Sequence, residues 1–188
     1  LSGDKGADTV YGVGLRAEGG SGDDLLGSTD GATNDDPDAP KSEDARTALY
    51  GGDGDDTFYA VEGNTIMTGG EGADEFHNQY RSTIEDFEPG TDKIVLEILH
   101  DDSDAPAEDD VDVVLSALDI DGVASTLVTV QLSDGAASNA SQTIWIKGVT
   151  PDQIGDDDIA VNISTEEAHA AELAELFPAI TNPIVANV

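Results

Sequence analysis

The stretch GGDGDDTFY (residues 51–59) is followed eighteen residues later by GGEGADEFH (69–77). Two earlier stretches align with it, GDKGADTVY (3–11) and GGSGDDLLG (19–27), so that the four copies begin 16, 32 and 18 residues apart. A short unit repeated at a nearly fixed period is typical of stacked architectures, in which each repeat contacts only its neighbours. The sequence therefore predicts a stack of turns with a period of eighteen residues.

Each place in the repeat has a physical reason. Glycines at the first, second and fourth places permit positive φ, so the turn can direct several backbone carbonyls inward. The sixth place is an aspartate, which adds a carboxylate to that ring of carbonyls: Asp8, Asp24, Asp56 and Asp74. The eighth place is apolar and follows the turn in a short strand, where its side chain points into a core: Val10, Leu26, Phe58 and Phe76. One unit cannot bury that anchor alone, but a stack of units can.

A ring of carbonyl and carboxylate oxygens is the donor set that Ca²⁺ prefers, whereas Mg²⁺ requires a smaller octahedron and keeps its waters. We expect one to three Ca²⁺ ions between successive turns. An alternative interpretation is that the Gly/Asp stretches are ordinary hairpin turns. The candidate metal-binding positions are Gly3, Lys5, Gly6, Asp8, Gly19, Ser21, Asp23, Asp24, Gly51, Asp53, Asp55, Asp56, Gly69, Glu71, Ala73 and Asp74.

The composition favours cations as partners. The formal net charge is −34, from 41 acidic and 7 basic residues, and aspartate outnumbers glutamate by 28 to 13. Tight metal-binding turns prefer the shorter carboxylate, although a salt-adapted surface remains an alternative. A chain without a basic patch is not expected to bind nucleic acid or an anionic membrane. There is no cysteine, hence no disulfide or thiolate site, and no apolar run of the ~18 residues that a membrane-spanning helix needs.

The chain is predicted to be mainly β, in two parts. Residues 1–80 are the repeat region, with a polar inserted loop at about 28–49. Residues 81–188 are rich in short β-type runs separated by turn signals, which predicts a sandwich-like capping region. A helix is predicted over 165–177, with Ser164 and Glu167 as a capping box and one face made of Ala170, Leu173, Ala174 and Phe177. The acidic run 101–112 is predicted to be a solvated loop.

No residue pattern predicts a catalytic centre. The sequence has no HExxH and no GxSxG, and His77, His100 and His169 are scattered. Trp145 stands between Ile144 and Ile146 in a predicted strand. This position favours a core or sheet-face residue over an aromatic platform that binds a sugar. Asp86 and Asp92 could complete a terminal calcium site, but turn and strand-end roles are the favoured interpretation. We therefore expect no enzymatic activity from this chain.

The repeat resembles the nonapeptide of the RTX (repeats-in-toxin, hemolysin-type) family, over residues 3–11, 19–27, 51–59 and 69–77. That resemblance implies a parallel β-roll with Ca²⁺ between successive turns. IEDFEPGTDKIVL (84–96) is similar to the strand and turn that close the rolls of RTX exoproteins. The first copy departs from the family pattern because Gly3 is followed by Asp4, and the alternate half-turns lack the aspartate, so calcium is expected on one edge of the roll.

The resemblance also implies a function, namely that the chain is a calcium-induced folding module at the C-terminal end of a secreted bacterial protein. The module would be monomeric, and it would be extracellular or attached to the cell surface. The type I secretion apparatus would be its partner, and 164–188 could hold the export signal. Alternatives are an accessory module of an exoenzyme (protease, lipase or polysaccharide epimerase), with a polysaccharide as a further partner, or a segment of a calcium-dependent adhesin. Because Leu1 stands within a repeat, the activity itself is expected to lie before it.

Overall fold

A computed structural model describes residues 2–12, 16–28, 47–61, 64–100, 111–132 and 142–177. As predicted, the protein is mainly β, with one α-helix in the described ranges. Most strands are short, as expected for repeats with one or two buried anchors each. The elements in chain order are β1 (Thr9–Gly12), β2 (Arg16–Ser21), β3 (Leu25–Ser28), β4 (Thr47–Asp53), β5 (Thr57–Ala60), β6 (Thr65–Glu71), β7 (Glu75–Asn78), β8 (Arg81–Ile84), β9 (Lys93–His100), β10 (Val111–Ile120), β11 (Val123–Leu132), β12 (Thr143–Ile146), a 3₁₀ turn (Pro151–Gln153), β13 (Ile159–Thr165) and α1 (Glu166–Leu176).

Successive strands of the repeat region alternate between two sheets. The first sheet has the order β1-β3-β5-β7-β9-β13, and all of its pairings are parallel. The second sheet has the order β10-β11-β12-β8-β6-β4-β2 and is parallel except for the β10–β11 and β11–β12 pairs. Two consecutive strands of the repeat region therefore make one turn of a β-roll.

The stack is continuous across the inserted segment. β3 pairs with β5 in the register Leu26↔Phe58, and β5 pairs with β7 in the register Phe58↔Phe76. The predicted loop is shorter than 28–49, because Ser28 belongs to β3 and Thr47 begins β4. Residues 29–46 lie outside the described ranges. Their length does not disturb the register of the strands on either side.

The core lies between the two sheets and is built from the predicted anchors. Val10, Leu26, Phe58 and Phe76 are buried, and the second sheet supplies Ala17, Leu49, Met67 and Ile84 to the same cluster. The rings of Phe58 and Phe76 stack with centroids 4.9 Å apart, so equivalent places in successive turns touch directly. Burial of a side chain of this size stabilises a fold by about 1.5–3 kcal/mol.

Strands after residue 80 continue the same two sheets. β8 extends the second sheet beside β6, and β9 extends the first sheet beside β7. β12 and β13 follow in the same way, and the β10–β11 hairpin forms one end of the second sheet. The acidic run 101–112 lies mostly outside the described ranges, but Val111 and Asp112 already belong to β10.

The N-cap of the C-terminal helix lies one residue later than predicted. Thr165 is the N-cap, and its side chain accepts a hydrogen bond of 3.0 Å from the Ala168 N–H. The predicted box of Ser164 and Glu167 is therefore wrong, because β13 runs through Thr165 and keeps Ser164 in the sheet. Of the predicted apolar face, Ala170 is exposed, whereas His169 is buried.

Phe177 follows α1 and is fully buried against the aromatic rings of the first sheet. Its ring centroid lies 5.5 Å from that of Tyr11 and 5.9 Å from that of Tyr59. Among the described residues, no helix is long and apolar enough to cross a membrane. Residues 178–188, part of the segment considered as an export signal, are outside the described ranges.

Candidate metal centre

The repeat turns adopt the backbone conformation for which their glycines are needed. In the third copy, Gly52 has φ 126° and Gly54 has φ 130°, values that residues with a Cβ rarely adopt. The second and fourth copies repeat both angles within about 20° at the equivalent glycines. The first copy differs, since Gly6 has positive φ but Asp4, at the second place, does not.

One aspartate from each turn forms a continuous row, which we name the aspartate ladder: Asp8, Asp24, Asp56, Asp74 and Asp92. The Oδ1 atom of each aspartate from Asp24 onward accepts a hydrogen bond from the backbone N–H of the preceding member. The N–O distances are 2.8, 2.8, 2.9 and 3.1 Å in chain order. Each carboxylate therefore ties its own turn to the turn before it.

The second oxygens of two ladder residues have no partner. Oδ2 of Asp24 and Oδ2 of Asp56 are buried and accept no hydrogen bond within the described part of the chain. A Cβ on Gly19 would overlap Oδ2 of Asp24, and a Cβ on Gly51 would overlap Oδ2 of Asp56. The glycine at the first place thus makes room for the carboxylate itself. A buried carboxylate oxygen without a donor is costly, so a proton or a cation is needed there.

The pKa values of the ladder aspartates also indicate that a proton or a cation is needed at these carboxylates. Burial raises the pKa of Asp56 to about 7, and the carboxylates of Asp74 and Asp24 add to that rise, while the hydrogen bond from Asp24 opposes it. Burial likewise raises the pKa of Asp74 to about 6 and, to a smaller extent, those of Asp24 and Asp92. Without a positive charge between them, the ladder residues resist ionisation together. A bound cation would reverse this effect.

Residues at the third and fifth places lie at the outer rim of the same edge. The Asp55 N–H donates to Oδ1 of Asp23 at 3.1 Å, and the Ala73 N–H donates to Oδ1 of Asp55 at 2.8 Å. At the third place, Lys5, Ser21, Asp53 and Glu71 stand in register across the stack. The predicted positions are therefore brought together along one edge. The expectation that the alternate half-turns carry no calcium involves residues 13–15 and 62–63, which lie outside the described residues.

The structure contains a fifth copy of the repeat that sequence analysis missed. FEPGTDKIV begins at Phe87, eighteen residues after Gly69. Asp92 occupies its sixth place and accepts a hydrogen bond from the Asp74 N–H, and Ile94 at the eighth place is buried. The copy is hard to recognise because it has no glycine pair and has Pro89 at the third place. Its spacing of eighteen residues from Gly69 and the glycine at its fourth place, Gly90, could have revealed it.

Asp86 also has a larger role than that of a simple turn residue. Its Oδ1 accepts from the Gly69 N–H at 2.9 Å, and its Oδ2 accepts from the Gly70 N–H at 3.1 Å. The side chain thus caps the last glycine pair of the repeat, because the fifth copy has no glycine pair. This arrangement uses both carboxylate oxygens of Asp86 within the protein.

The donor set fits Ca²⁺ better than a metal that prefers side-chain clusters. In the described parts of the chain, no three His, Cys, Asp or Glu side chains converge on a point that could hold a metal. The edge instead offers one ladder carboxylate per turn beside stacked backbone carbonyls, since Gly52 and Gly70 each approach a glycine carbonyl of the preceding turn. All of these donors are oxygen, as a hard cation requires. Asp24, Asp56 and Asp74, with the neighbouring carbonyls, are the residues that would hold it.

Comparison with known proteins gives no family assignment. No protein-family model and no curated protein matches the chain. The solution structure of the AlgE6R3 subunit of the Azotobacter vinelandii mannuronan C5-epimerase is similar, with 20% identity, a TM-score of 0.42, and coverage of 84% of this chain and 80% of that chain. The AlgE6R2 subunit of the same enzyme shows 19% identity, a TM-score of 0.41, and coverage of 85% and 88%. Both TM-scores are below 0.5, so neither structure bears on the function of this chain.

Proposed function

We propose that this chain is a calcium-binding module whose β-roll is folded by the ions that it binds. The observation that carries the proposal is the pair of buried, unpartnered oxygens, Oδ2 of Asp24 and Oδ2 of Asp56. They pack against the first-place glycines, which make room for them, and burial raises the pKa values of both aspartates. A divalent cation would coordinate the unpartnered oxygens and would favour the ionised form of the ladder carboxylates.

Calcium binding and folding are thermodynamically linked. The ladder does not exist in the unfolded chain, so the free energy of ion binding becomes free energy of folding. A chain with a net charge of −34 repels itself when it is compact, and the ions relieve that repulsion along one edge. Extracellular calcium modules bind at about 10⁻⁴–10⁻³ M. The chain would then stay unfolded where calcium is scarce and fold where it is abundant.

This behaviour suits a module near the C-terminal end of a protein that is exported through a type I channel and folds outside the cell. The support for export is the resemblance of the repeats to the RTX nonapeptide, together with the folding linkage. We assign no catalytic role to these residues. The module would serve a larger exoprotein, and its activity would reside elsewhere in that protein.

The test is a far-UV circular dichroism titration of EDTA-treated protein with Ca²⁺, with Mg²⁺ as the control ion. We expect a cooperative gain of β signal with Ca²⁺ and none with Mg²⁺ at the same concentration. Asp56→Asn should raise the Ca²⁺ midpoint, while Asp112→Asn, an exposed acid on β10, should leave it unchanged. A chain that is fully folded in EDTA and indifferent to Ca²⁺ would overturn the proposal.

A second candidate function, polysaccharide binding, is favoured by one feature of the outer face of the second sheet. The Arg81 guanidinium lies over the Trp145 ring, 5.4 Å from its centroid. A cavity of about 250 Å³ beside them is lined by Asn64, Ile66, Arg81, Ser82, Thr83 and Trp145. An aromatic face with a cation and several polar groups could hold one sugar ring.

Trp145 is the single tryptophan of the chain, so its fluorescence reports on this cavity directly. Titration with neutral and acidic polysaccharides, with and without EDTA, would test the second function. Saturable quenching that Arg81→Ala abolishes would support it. Quenching that is identical in Arg81→Ala, or no quenching by any polysaccharide, would exclude it.

A further inference from the structure

A buried cluster of ionisable side chains lies under α1, on the outer face of the first sheet and away from the aspartate ladder. At its centre is Glu97 of β9, which is 1% exposed. Its Oε1 lies 2.8 Å from Nδ1 of His77 on β7, and its Oε2 accepts a hydrogen bond of 2.7 Å from Nδ2 of Asn162 on β13. A carboxylate buried so deeply needs these partners in order to remain ionised.

The geometry around His77 requires two protons on its ring. While Nδ1 faces Glu97, Nε2 lies 2.8 Å from Oε1 of Glu75. A neutral imidazole carries one N–H, so it could donate to only one of the two carboxylates. The other nitrogen would then place its lone pair against a carboxylate oxygen at hydrogen-bond distance. Only the imidazolium form satisfies both contacts.

α1 contributes a second histidine to the same cluster. Nδ1 of His169 is buried and has no hydrogen-bond partner among the described residues. It lies 3.9 Å from Oε2 of Glu97 and 4.0 Å from Oε2 of Glu172. A protonated His169 would be attracted by both carboxylates, whereas a neutral one leaves them opposed across the helix–sheet interface.

The other neighbours of the two histidines are the ring and hydroxyl of Tyr59. The Tyr59 ring stacks on His77 with centroids 4.2 Å apart, and its hydroxyl donates to Oε1 of Glu172 at 3.4 Å. Burial, with Glu172 and Glu97 nearby, raises the pKa of Tyr59, so the hydroxyl stays protonated. Lys93, an exposed residue of β9, is the cross-strand neighbour of Glu75. In the described ranges, the two histidines therefore face the carboxylates of Glu75, Glu97 and Glu172, with Tyr59 and Asn162 beside them.

We propose that His77, Glu97 and His169 form a proton-dependent latch that holds α1 on the first sheet. With both imidazoles protonated, the cluster is nearly neutral and α1 is docked. Loss of the two protons leaves three carboxylates close together in a poorly hydrated interface, and α1 is released. Histidine is the side chain whose charge ordinarily changes between about pH 5 and 8, so this is the range in which the latch is tested. Release would uncover the aromatic rings of Tyr59 and Phe177.

The test uses the full chain at saturating Ca²⁺ and follows two signals from pH 5.5 to 8.5. Ring ¹⁵N shifts of His77 report its protonation state, and hydrogen exchange of residues 166–177, corrected for intrinsic exchange, reports docking. We expect an imidazolium ring at pH 5.5 and a loss of helix protection of about tenfold or more as the cluster deprotonates, because the attraction of a protonated His169 for the carboxylates of Glu97 and Glu172 in a buried interface is lost. Peptides of β4 and β6 serve as the internal control.

Variants separate the latch from a general pH effect. Glu97→Gln should remove most of the pH dependence of helix protection, and His77→Gln should lower protection already at pH 5.5. Asp112→Asn, at an exposed position of β10, should behave like the wild type. The proposal is overturned if His77 is neutral at pH 5.5, if helix protection does not change with pH, or if Asp112→Asn alters it as much as His77→Gln does.

The latch and the calcium proposal can fail separately. No ladder residue belongs to the latch cluster, and the ring ¹⁵N measurement can be made on any folded form of the chain. If the chain folds without Ca²⁺, the same measurements in EDTA still test the latch.

Discussion

The backbone N–H of Asp24 donates to Oδ1 of Asp56 at a distance of 2.8 Å, although the two residues are 32 positions apart in the chain. Asp56 and Asp74, only 18 positions apart, are joined in the same way at 2.9 Å. The turn-to-turn contact is therefore independent of the length of chain between the turns. It depends on one carboxylate in each turn and on the first-place glycine that makes room for that carboxylate.

A first-place glycine is predicted to be indispensable. A Cβ at Gly51 would overlap both Oδ2 of Asp56 and the Gly69 carbonyl. Gly51→Ala should therefore raise the Ca²⁺ midpoint of folding at least tenfold, as measured by circular dichroism. Gly155→Ala is the matched control, because a Cβ there would meet its nearest neighbour at an ordinary 3.7 Å. Equal midpoints for the two variants would contradict the role assigned to Gly51.

The inserted segment is predicted to be dispensable for calcium-dependent folding. Strands on either side pair in the same register as those of the uninterrupted repeat. Deletion of fourteen residues from 29–46 would restore the eighteen-residue spacing. The entropy of closing a loop changes slowly with its length, so the Ca²⁺ midpoint should stay within about twofold. A deletion variant that fails to fold at any Ca²⁺ concentration would show that the segment is required.

The aromatic stack in the core should dominate the stability of the calcium-loaded roll. Phe58 and Phe76 are both fully buried and in contact. Phe58→Ala should lower the free energy of unfolding by about 3–5 kcal/mol, because the transfer free energy is lost and a cavity is left behind. Urea denaturation at saturating Ca²⁺ measures this value, and Phe58→Leu should cost clearly less. A loss below about 1 kcal/mol for Phe58→Ala would mean that the stack does not hold the turns together.

Without metal, the roll is predicted to become less stable as pH rises. The folded-state pKa values of Asp56 and Asp74, about 7 and about 6, lie above the ordinary value of 3.8. The folded state therefore binds more protons than the unfolded state between about pH 4 and 7, and stability falls as pH rises through that window. In EDTA, the β signal measured by far-UV circular dichroism should be larger at pH 4.5 than at pH 7.5, and Asp56→Asn should reduce the difference. A β signal that increases with pH would contradict the prediction.

Calcium affinity should change in the opposite direction over the same range. The ladder carboxylates must lose their protons in order to bind the ion, so affinity should rise as pH increases from about 4 to 7. Binding should release protons when it is measured near pH 6 in buffers of different ionisation enthalpy. A Ca²⁺ affinity that does not depend on pH would show that Asp56 and Asp74 are not ligands.

The local features of the fold could be predicted from the sequence, and the long-range ones could not. The spacing of the glycines and of Phe58 and Phe76 predicts the stacked turns and their buried anchors. Asp92 was predicted to be a turn or strand-end residue because its turn lacks the glycine pair, and its place in the ladder depends on a hydrogen bond from the Asp74 N–H. The pairing of β8 with β12 joins residues about sixty positions apart, without any repeat to indicate it.

The position of the helix N-cap also could not be predicted from the local sequence. Ser164 and Thr165 are both acceptable N-cap residues by type. The choice is made by β13, which pairs with β9 through Thr165↔His100 and leaves the helix to begin at Glu166. The burial of His169 follows from Glu97 on a strand about seventy residues earlier, which helical periodicity could not reveal.

The central claim is that the unpartnered oxygens of Asp24 and Asp56 hold calcium. The most direct test is equilibrium dialysis against ⁴⁵Ca²⁺ at about 1 mM in a Mg²⁺ buffer, with the wild type and the Asp24→Asn and Asp56→Asn variants. We expect the wild type to bind one to three Ca²⁺ ions per chain and each variant to bind fewer. A wild type that binds no Ca²⁺ under these conditions, or variants that bind as many ions as the wild type, would contradict it.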